Sequence, residues 1–225
     1  MSDNAIIKAE ALFIIRNGTA ILNEVTTHIS KGKNTMLLGH NGAGKSLLLQ
    51  ALHGIITPDS GTISAPPAKS QKMVFQKPIL LRRSASRHFD FLCPHLSPTE
   101  KIHWFKRAGL MNQMHTPARQ LSGGEQQKLA FIGAMASKPD MLFLDEPSAN
   151  LDFEASAKIE SLIDHAQKNG ATIIMTTHNL AQARRLADHV LFIDHGKIIE
   201  DRSAKDFFAN PLHDVAKSYI AYHRA

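Results

Sequence analysis

Short apolar runs separated by glycine-bearing turns open the chain, and they predict strands. Asn17-Gly18 is a two-residue hairpin signal between apolar segments at 11–15 and 20–22. Lys31-Gly32-Lys33 marks the next turn. After it, Thr35-Met36-Leu37-Leu38 runs apolar without alternation, as a strand covered on both faces does. Helical composition follows at 46–53. Further buried strands are predicted at 72–75, 141–144, 172–176 and 190–193, with helices at 123–135, 153–167 and 180–187. The last hairpin turns at Asp194-His195-Gly196 and continues into 197–200. Strands alternating with helices imply an α/β fold with a parallel sheet clad on both faces.

The stretch 77–120 breaks this rhythm. It has helical composition, several charges and two breakers, Pro94 and Pro98. Ser97-Pro98-Thr99-Glu100 supplies an N-cap, a proline at the first helical position and a glutamate three residues after the cap. The expectation is one domain over 1–225, with a nucleotide-binding core and β subdomain at 1–76 and 121–225 and a helical subdomain inserted at 77–120.

Composition narrows the class. With 43% hydrophobic and 20% charged residues, the 225-residue chain is neither disordered nor fibrous. Cys93 is the only cysteine, which excludes an internal disulfide and a cysteine-based zinc cluster. No apolar stretch approaches the ~18 residues that span a bilayer, and the first residues lack the basic and apolar regions of a secretion signal. Any membrane role is therefore expected to be peripheral. The formal net charge of +6 is spread along the chain, with Arg82-Arg83 and Arg184-Arg185 as the only arginine pairs, so it reads as a solvated surface. No nucleic acid partner is expected.

Gly39-His40-Asn41-Gly42-Ala43-Gly44-Lys45-Ser46 matches G-x-x-x-x-G-K-[ST] between a predicted strand and a predicted helix. Glycines let backbone N–H groups wrap a phosphate, and the helix start, continuing into Leu47, adds partial positive charge. Lys45 would reach the β- and γ-phosphates, and the Ser46 hydroxyl would ligate Mg2+. Met141-Leu142-Phe143-Leu144-Asp145-Glu146 supplies the acidic half. Asp145 at a strand end is placed to hold Mg2+, and Glu146 to orient or deprotonate an attacking water.

Leu121-Ser122-Gly123-Gly124-Glu125-Gln126-Gln127, standing between these two motifs, resembles the signature of ABC transporter nucleotide-binding subunits. Gln76 resembles the Q-loop glutamine, Ser148-Ala149-Asn150-Leu151-Asp152 the D-loop, and His178 the switch histidine. The resemblance implies a P-loop NTPase of ABC type, with a RecA-like parallel-sheet core, an antiparallel β subdomain and a helical subdomain. It implies ATP as substrate, with Glu146, His178, Lys45 and Gln76 catalytic and with Ser46, Gln76 and Asp145 around Mg2+. It also implies an ATP-dependent head-to-tail homodimer, in which Ser122, Gly123, Gly124 and Asp152 serve the other copy's nucleotide. One feature departs from the family: the usual adenine-stacking aromatic is missing, leaving Arg16 or, after a small strand shift, Phe13.

The same resemblance implies a separate membrane permease at the cytoplasmic face of the plasma membrane, and indirectly a periplasmic or extracellular binding protein. The junction is expected at 76–84, with Ile79, Leu80 and Leu81 as an apolar socket rimmed by Arg82 and Arg83; the alternative is that these apolar residues are core. A chain of this length also leaves no room for an added C-terminal regulatory domain. The segments 75–84 and 177–192 are similar to ATPases of tungstate-type oxyanion importers, and phosphate-importer ATPases share Ala-Gln-Ala-Arg-Arg. An exporter or lipid-release ATPase, or an ABC protein with no permease, is the alternative.

Overall fold

The computed structural model describes residues 4–149 and 151–222. The first hairpin pairs β1 (Ala5–Arg16) with β2 (Thr19–Ser30), and β4 (Ser60–Ser64) joins the other edge of β1 to complete an antiparallel sheet. Both hairpin strands are longer than the apolar segments suggested, because their outer residues alternate with buried ones and carry polar side chains on the exposed face. Asn17 and Gly18 both adopt positive φ, 51° and 76°, the geometry a tight hairpin needs.

The second sheet has six strands in the order β5 (Gln71–Val74), β6 (Met141–Asp145), β7 (Thr172–Thr176), β3 (Asn34–Leu38), β8 (His189–Asp194), β9 (Lys197–Ser203). The first five run parallel and β9 returns antiparallel. All five residues of β3, β6 and β7 are buried, which accounts for their unbroken apolar reading. Their side chains divide between two cores. Leu37, Phe143 and Ile174 face the antiparallel sheet and α1 (Lys45–His53). Met36, Leu142 and Ile173 face the cluster that includes α4 (Gly123–Met135) and α5 (Phe153–Lys168).

Two helices, α2 (Ala85–Leu92) and α3 (Pro98–Ala108), lie within 77–120. The start of α3 is built as read: Ser97 accepts from the Glu100 amide while the Glu100 carboxylate accepts from the Ser97 amide at 2.9 Å. The expected apolar socket needs correction. Ile79 is 81% exposed, but Leu80 is 4% exposed and belongs to the core with Phe89 and Phe105. Leu81 is half-buried. Cys93 is buried too, and burial pushes its thiol up to about 11.

Past β7 come α6 (Leu180–Leu186), the β8–β9 hairpin, α7 (Ala204–Ala209) and α8 (Asp214–Tyr222). The hairpin turn tucks under β2: a Cβ at Gly196 would lie 2.3 Å from the Ile21 carbonyl oxygen. Among the described residues no helix is long and apolar enough to cross a membrane.

Removing the α3 cap should cost about 1 kcal/mol, the usual worth of such a residue. Ser97→Ala is therefore expected to lower the urea midpoint without changing the slope of the transition, as measured by circular dichroism.

Candidate active site

Four strand ends assemble the site. β3 runs into the Gly39–Ser46 loop, β6 ends at Asp145, β7 ends two residues before His178, and β5 ends two before Gln76. Because these strands are parallel, their carboxyl ends share one sheet edge.

The loop is shaped by two glycines. Gly44 caps α1 in the left-handed region at φ 104° with no side chain satisfying the helix start, so the first N–H groups remain available to an anion. At Gly39 a Cβ would lie 2.1 Å from the Ile193 carbonyl oxygen, so no side chain fits. Lys45 is buried, and its Nζ donates to the carbonyls of Gly39 at 2.8 Å and His40 at 2.9 Å. Burial lowers its pKa from the usual lysine value, while Glu146 and Asp145 act in the opposite sense.

Asp145 Oδ1 accepts from the Ser46 hydroxyl at 2.8 Å and from the Thr176 hydroxyl at 2.7 Å. A largely buried carboxylate oxygen and a hydroxyl oxygen, side by side at the mouth of the loop, are the hard donors that Mg2+ takes. The pair fits the expected ion. Among the described residues no cluster of three or more His, Cys, Asp or Glu could hold a metal by itself, so remaining ligands would have to come from substrate and water. Gln76, expected near the metal or the attacking water, instead has its amide turned to Glu146.

Glu146 has φ 44°, a left-handed conformation that costs a non-glycine residue about 1–3 kcal/mol. Its N–H donates to the carbonyl of Thr176 at 3.2 Å and to the Thr176 hydroxyl at 2.9 Å, which hold the bend. The bend carries the Glu146 carboxylate to Gln76, whose Nε2 donates to Oε2 at 2.9 Å, and to His178, whose Nδ1 is 3.3 Å from the same oxygen. Three residues read from separate motifs thus meet at one atom.

The signature segment faces elsewhere. Ser122 caps α4, with its hydroxyl donating to Glu125 Oε2 at 2.9 Å and its amide donating to the same oxygen at 2.8 Å. Ser122, Gly123, Gly124 and Asp152 line a cleft of about 720 Å³, and Gly39, His40, Gln76, Glu146 and His178 line another of about 590 Å³; the two have no lining residue in common. Asp152 caps α5 by accepting from the Ala155 amide at 2.7 Å. Asn150 lies outside the described residues. Leu47 packs against the core beneath the loop. Arg16 closes β1, its guanidinium donating to the Ile15 carbonyl at 2.7 Å and standing 3.6 Å from Asp59. Phe13 is half-buried and paired in register with Ser60.

The family described as ABC transporter matches residues 22–149. The chain belongs to the ABC transporter family. Its fold is the ABC ATPase fold, and the ATP-binding subunits of that family are ATPases that drive transport. The chain is 33% identical to the phosphate import ATP-binding protein PstB 2 of Natronomonas pharaonis over 91% of this chain and 82% of that one. It is 34% identical to the tungstate uptake system ATP-binding protein TupC of Peptoclostridium acidaminophilum, over 81% of this chain and 92% of that one. Further relatives are named for amino-acid transport. Among solved structures, cbiO1 from Clostridium perfringens, part of the ABC transporter complex cbiONQ, superposes with a TM-score of 0.78 at 30% identity over 92% of each chain.

Two glutamines that tie this ABC ATPase site together escaped the motif reading. Gln182 is 1% exposed; its Nε2 donates to Ser148 at 2.9 Å and Glu160 at 3.2 Å, and its Oε1 accepts from Thr177 at 2.9 Å. It sits in the Ala-Gln-Ala-Arg-Arg stretch, where composition marks kinship but gives no hint of burial. Gln127, also buried, donates to the carbonyl of Phe75 at 3.2 Å and so links α4 to the segment carrying Gln76. Replacing Gln182 by Leu leaves buried hydroxyls and a carboxylate short of a partner, which typically costs about 1–3 kcal/mol. Urea unfolding of Gln182→Leu should show a loss of that size; an unchanged midpoint would dismiss the network as a contributor to stability.

Proposed function

We propose that this chain is the ATP-hydrolysing subunit of an ABC importer for an oxyanion such as tungstate, working as an ATP-dependent head-to-tail homodimer beneath a membrane permease. The observation that carries the dimer is the separation of the two clefts. One holds the phosphate loop and Glu146; the other holds a helix start built for an anion, which no residue of the first cleft reaches. A second copy in twofold arrangement would bring the two together around each nucleotide.

In this reading Lys45 exchanges the Gly39 and His40 carbonyls for the β- and γ-phosphate oxygens of ATP, and the N–H groups at the start of α1 cradle the same anion. Ser46 and Asp145 would hold Mg2+, which when bound supplies positive charge against the phosphates. Glu146 accepts the proton of the attacking water, and His178 and Gln76 hold its carboxylate in place. Gly123 and Gly124 of the other copy offer backbone N–H groups to the γ-phosphate, with Ser122 adding its hydroxyl, while the other copy's Asp152 steadies the loop. Arg16 is the guanidinium nearest the expected position of the base, with Phe13 as its substitute.

The permease contact is assigned to the surface around the exposed Ile79. Oxyanion cargo is supported by the similarity at 75–84 and 177–192. It is supported as well by the phosphate and tungstate names of relatives at 33% and 34% identity, against 27–29% for the amino-acid relatives cited above. The expected location is the cytoplasmic face of the plasma membrane, with a binding protein on the far side.

Glu146→Gln is expected to keep ATP binding, to reduce turnover by at least about a hundredfold, in keeping with loss of general-base catalysis, and to elute as a dimer in ATP during gel filtration. A monomer under those conditions would overturn the head-to-tail reading. Lys45→Ala should abolish or greatly weaken ATP binding in calorimetry; unchanged affinity would remove the phosphate-site assignment. Cells carrying Lys45→Ala should lose tungstate uptake. Uptake at the wild-type rate would refute the cargo, and purification with stoichiometric RNA in place of a multi-span protein would refute the transport role.

A further inference from the structure

The last helix of the described chain lies against the phosphate loop. Tyr219 of α8 is 2% exposed, and its ring stands edge-on to His40 at 5.2 Å between centroids and to Phe192 of β8 at 5.1 Å. Phe192 continues the contact to Phe207, and Phe207 to Phe208, over which the Arg184 guanidinium sits at 4.9 Å. The start of α8 is fixed as well. Buried Glu200 accepts from the amides of Leu212 at 2.8 Å and His213 at 2.9 Å. One turn beyond Tyr219, Tyr222 lines the same cleft as Gln76, Glu146 and His178.

We propose that Tyr219 is a positioning residue for the phosphate loop, setting the Gly39–His40 segment whose carbonyls fix Lys45 and thereby tuning affinity for ATP. The segment is bounded on several sides. On the sheet side Gly39 lies against the Ile193 carbonyl so closely that a single added carbon would not fit. On the helix side the Tyr219 ring meets His40, and the Gly39 amide hydrogen bonds toward the phenol oxygen. From within, Lys45 spans both carbonyls at 2.8 and 2.9 Å. Shifting either peptide would therefore move the ammonium that meets the substrate. Burial raises the phenol's pKa, with Glu146 adding to the effect, so the ring is neutral at working pH and places no anion beside incoming phosphates. An ordinary packing aromatic would share the ring contacts, but its hydroxyl would have no bearing on nucleotide.

The inference rests on the ATPase reading, and Tyr219→Phe separates the two. This variant keeps the ring and removes only the hydroxyl. One hydrogen bond of ordinary net worth corresponds to a rise of about two- to tenfold in the KM and Kd for ATP. The expected result is that rise, with kcat at saturating ATP within about twofold of wild type. A lower melting temperature with KM and Kd unmoved would overturn the proposal and leave Tyr219 a packing residue. So would a fall in kcat without a change in KM, or no change in any of these. Wild-type protein that fails to bind ATP would instead overturn the ATPase reading on which the proposal stands.

Discussion

The hydroxyl–carboxylate chain Ser46–Asp145–Thr176 is the interaction around which the site is organised. It ties the start of α1 and the ends of β6 and β7 through bonds of 2.8 and 2.7 Å to a single oxygen. Elements that are distant in sequence are thereby locked in register at one edge. Thr176 serves twice, since its hydroxyl and its carbonyl also receive the amide of Glu146 and hold that residue in a left-handed bend. Without the bend the carboxylate would follow the strand direction, away from Gln76 and His178. Backbone strain of about 1–3 kcal/mol is thus offset by hydrogen bonds that double as site architecture.

Much of this was legible from residue order. Unbroken apolar runs marked the parallel strands because those strands are covered on both faces, and capping residues marked α3 and α4 because helix starts need side-chain acceptors. Gly39 through Ser46, Asp145, Glu146, Gln76 and His178 could be picked out since their chemistry recurs in fixed spacings. Their convergence follows from strand polarity.

What could not be read was burial of polar side chains and the reach of distant elements. Gln182 and Gln127 look like surface glutamines on helices, and only the packed structure shows their amides closing gaps between segments. Leu80 stands between Ile79 and Leu81 in a uniform apolar triplet, so local pattern could not say that it turns inward while Ile79 turns out. Tyr219 lies 180 residues from Gly39, and nothing in either neighbourhood announces the other. The aromatic chain through Phe192 and Phe207 that joins them is a property of sheet order, with β8 beside β3.

The two carbonyls that receive the Lys45 ammonium have a thermodynamic consequence. A long cationic side chain ordinarily forfeits rotamer freedom when it is captured by an anion. Here folding has already exacted that loss, so a triphosphate arriving at the loop swaps one set of oxygens for another. Binding then draws its free energy from charge more than from the ordering of a loose arm, and its strength should track ionic conditions more closely than temperature.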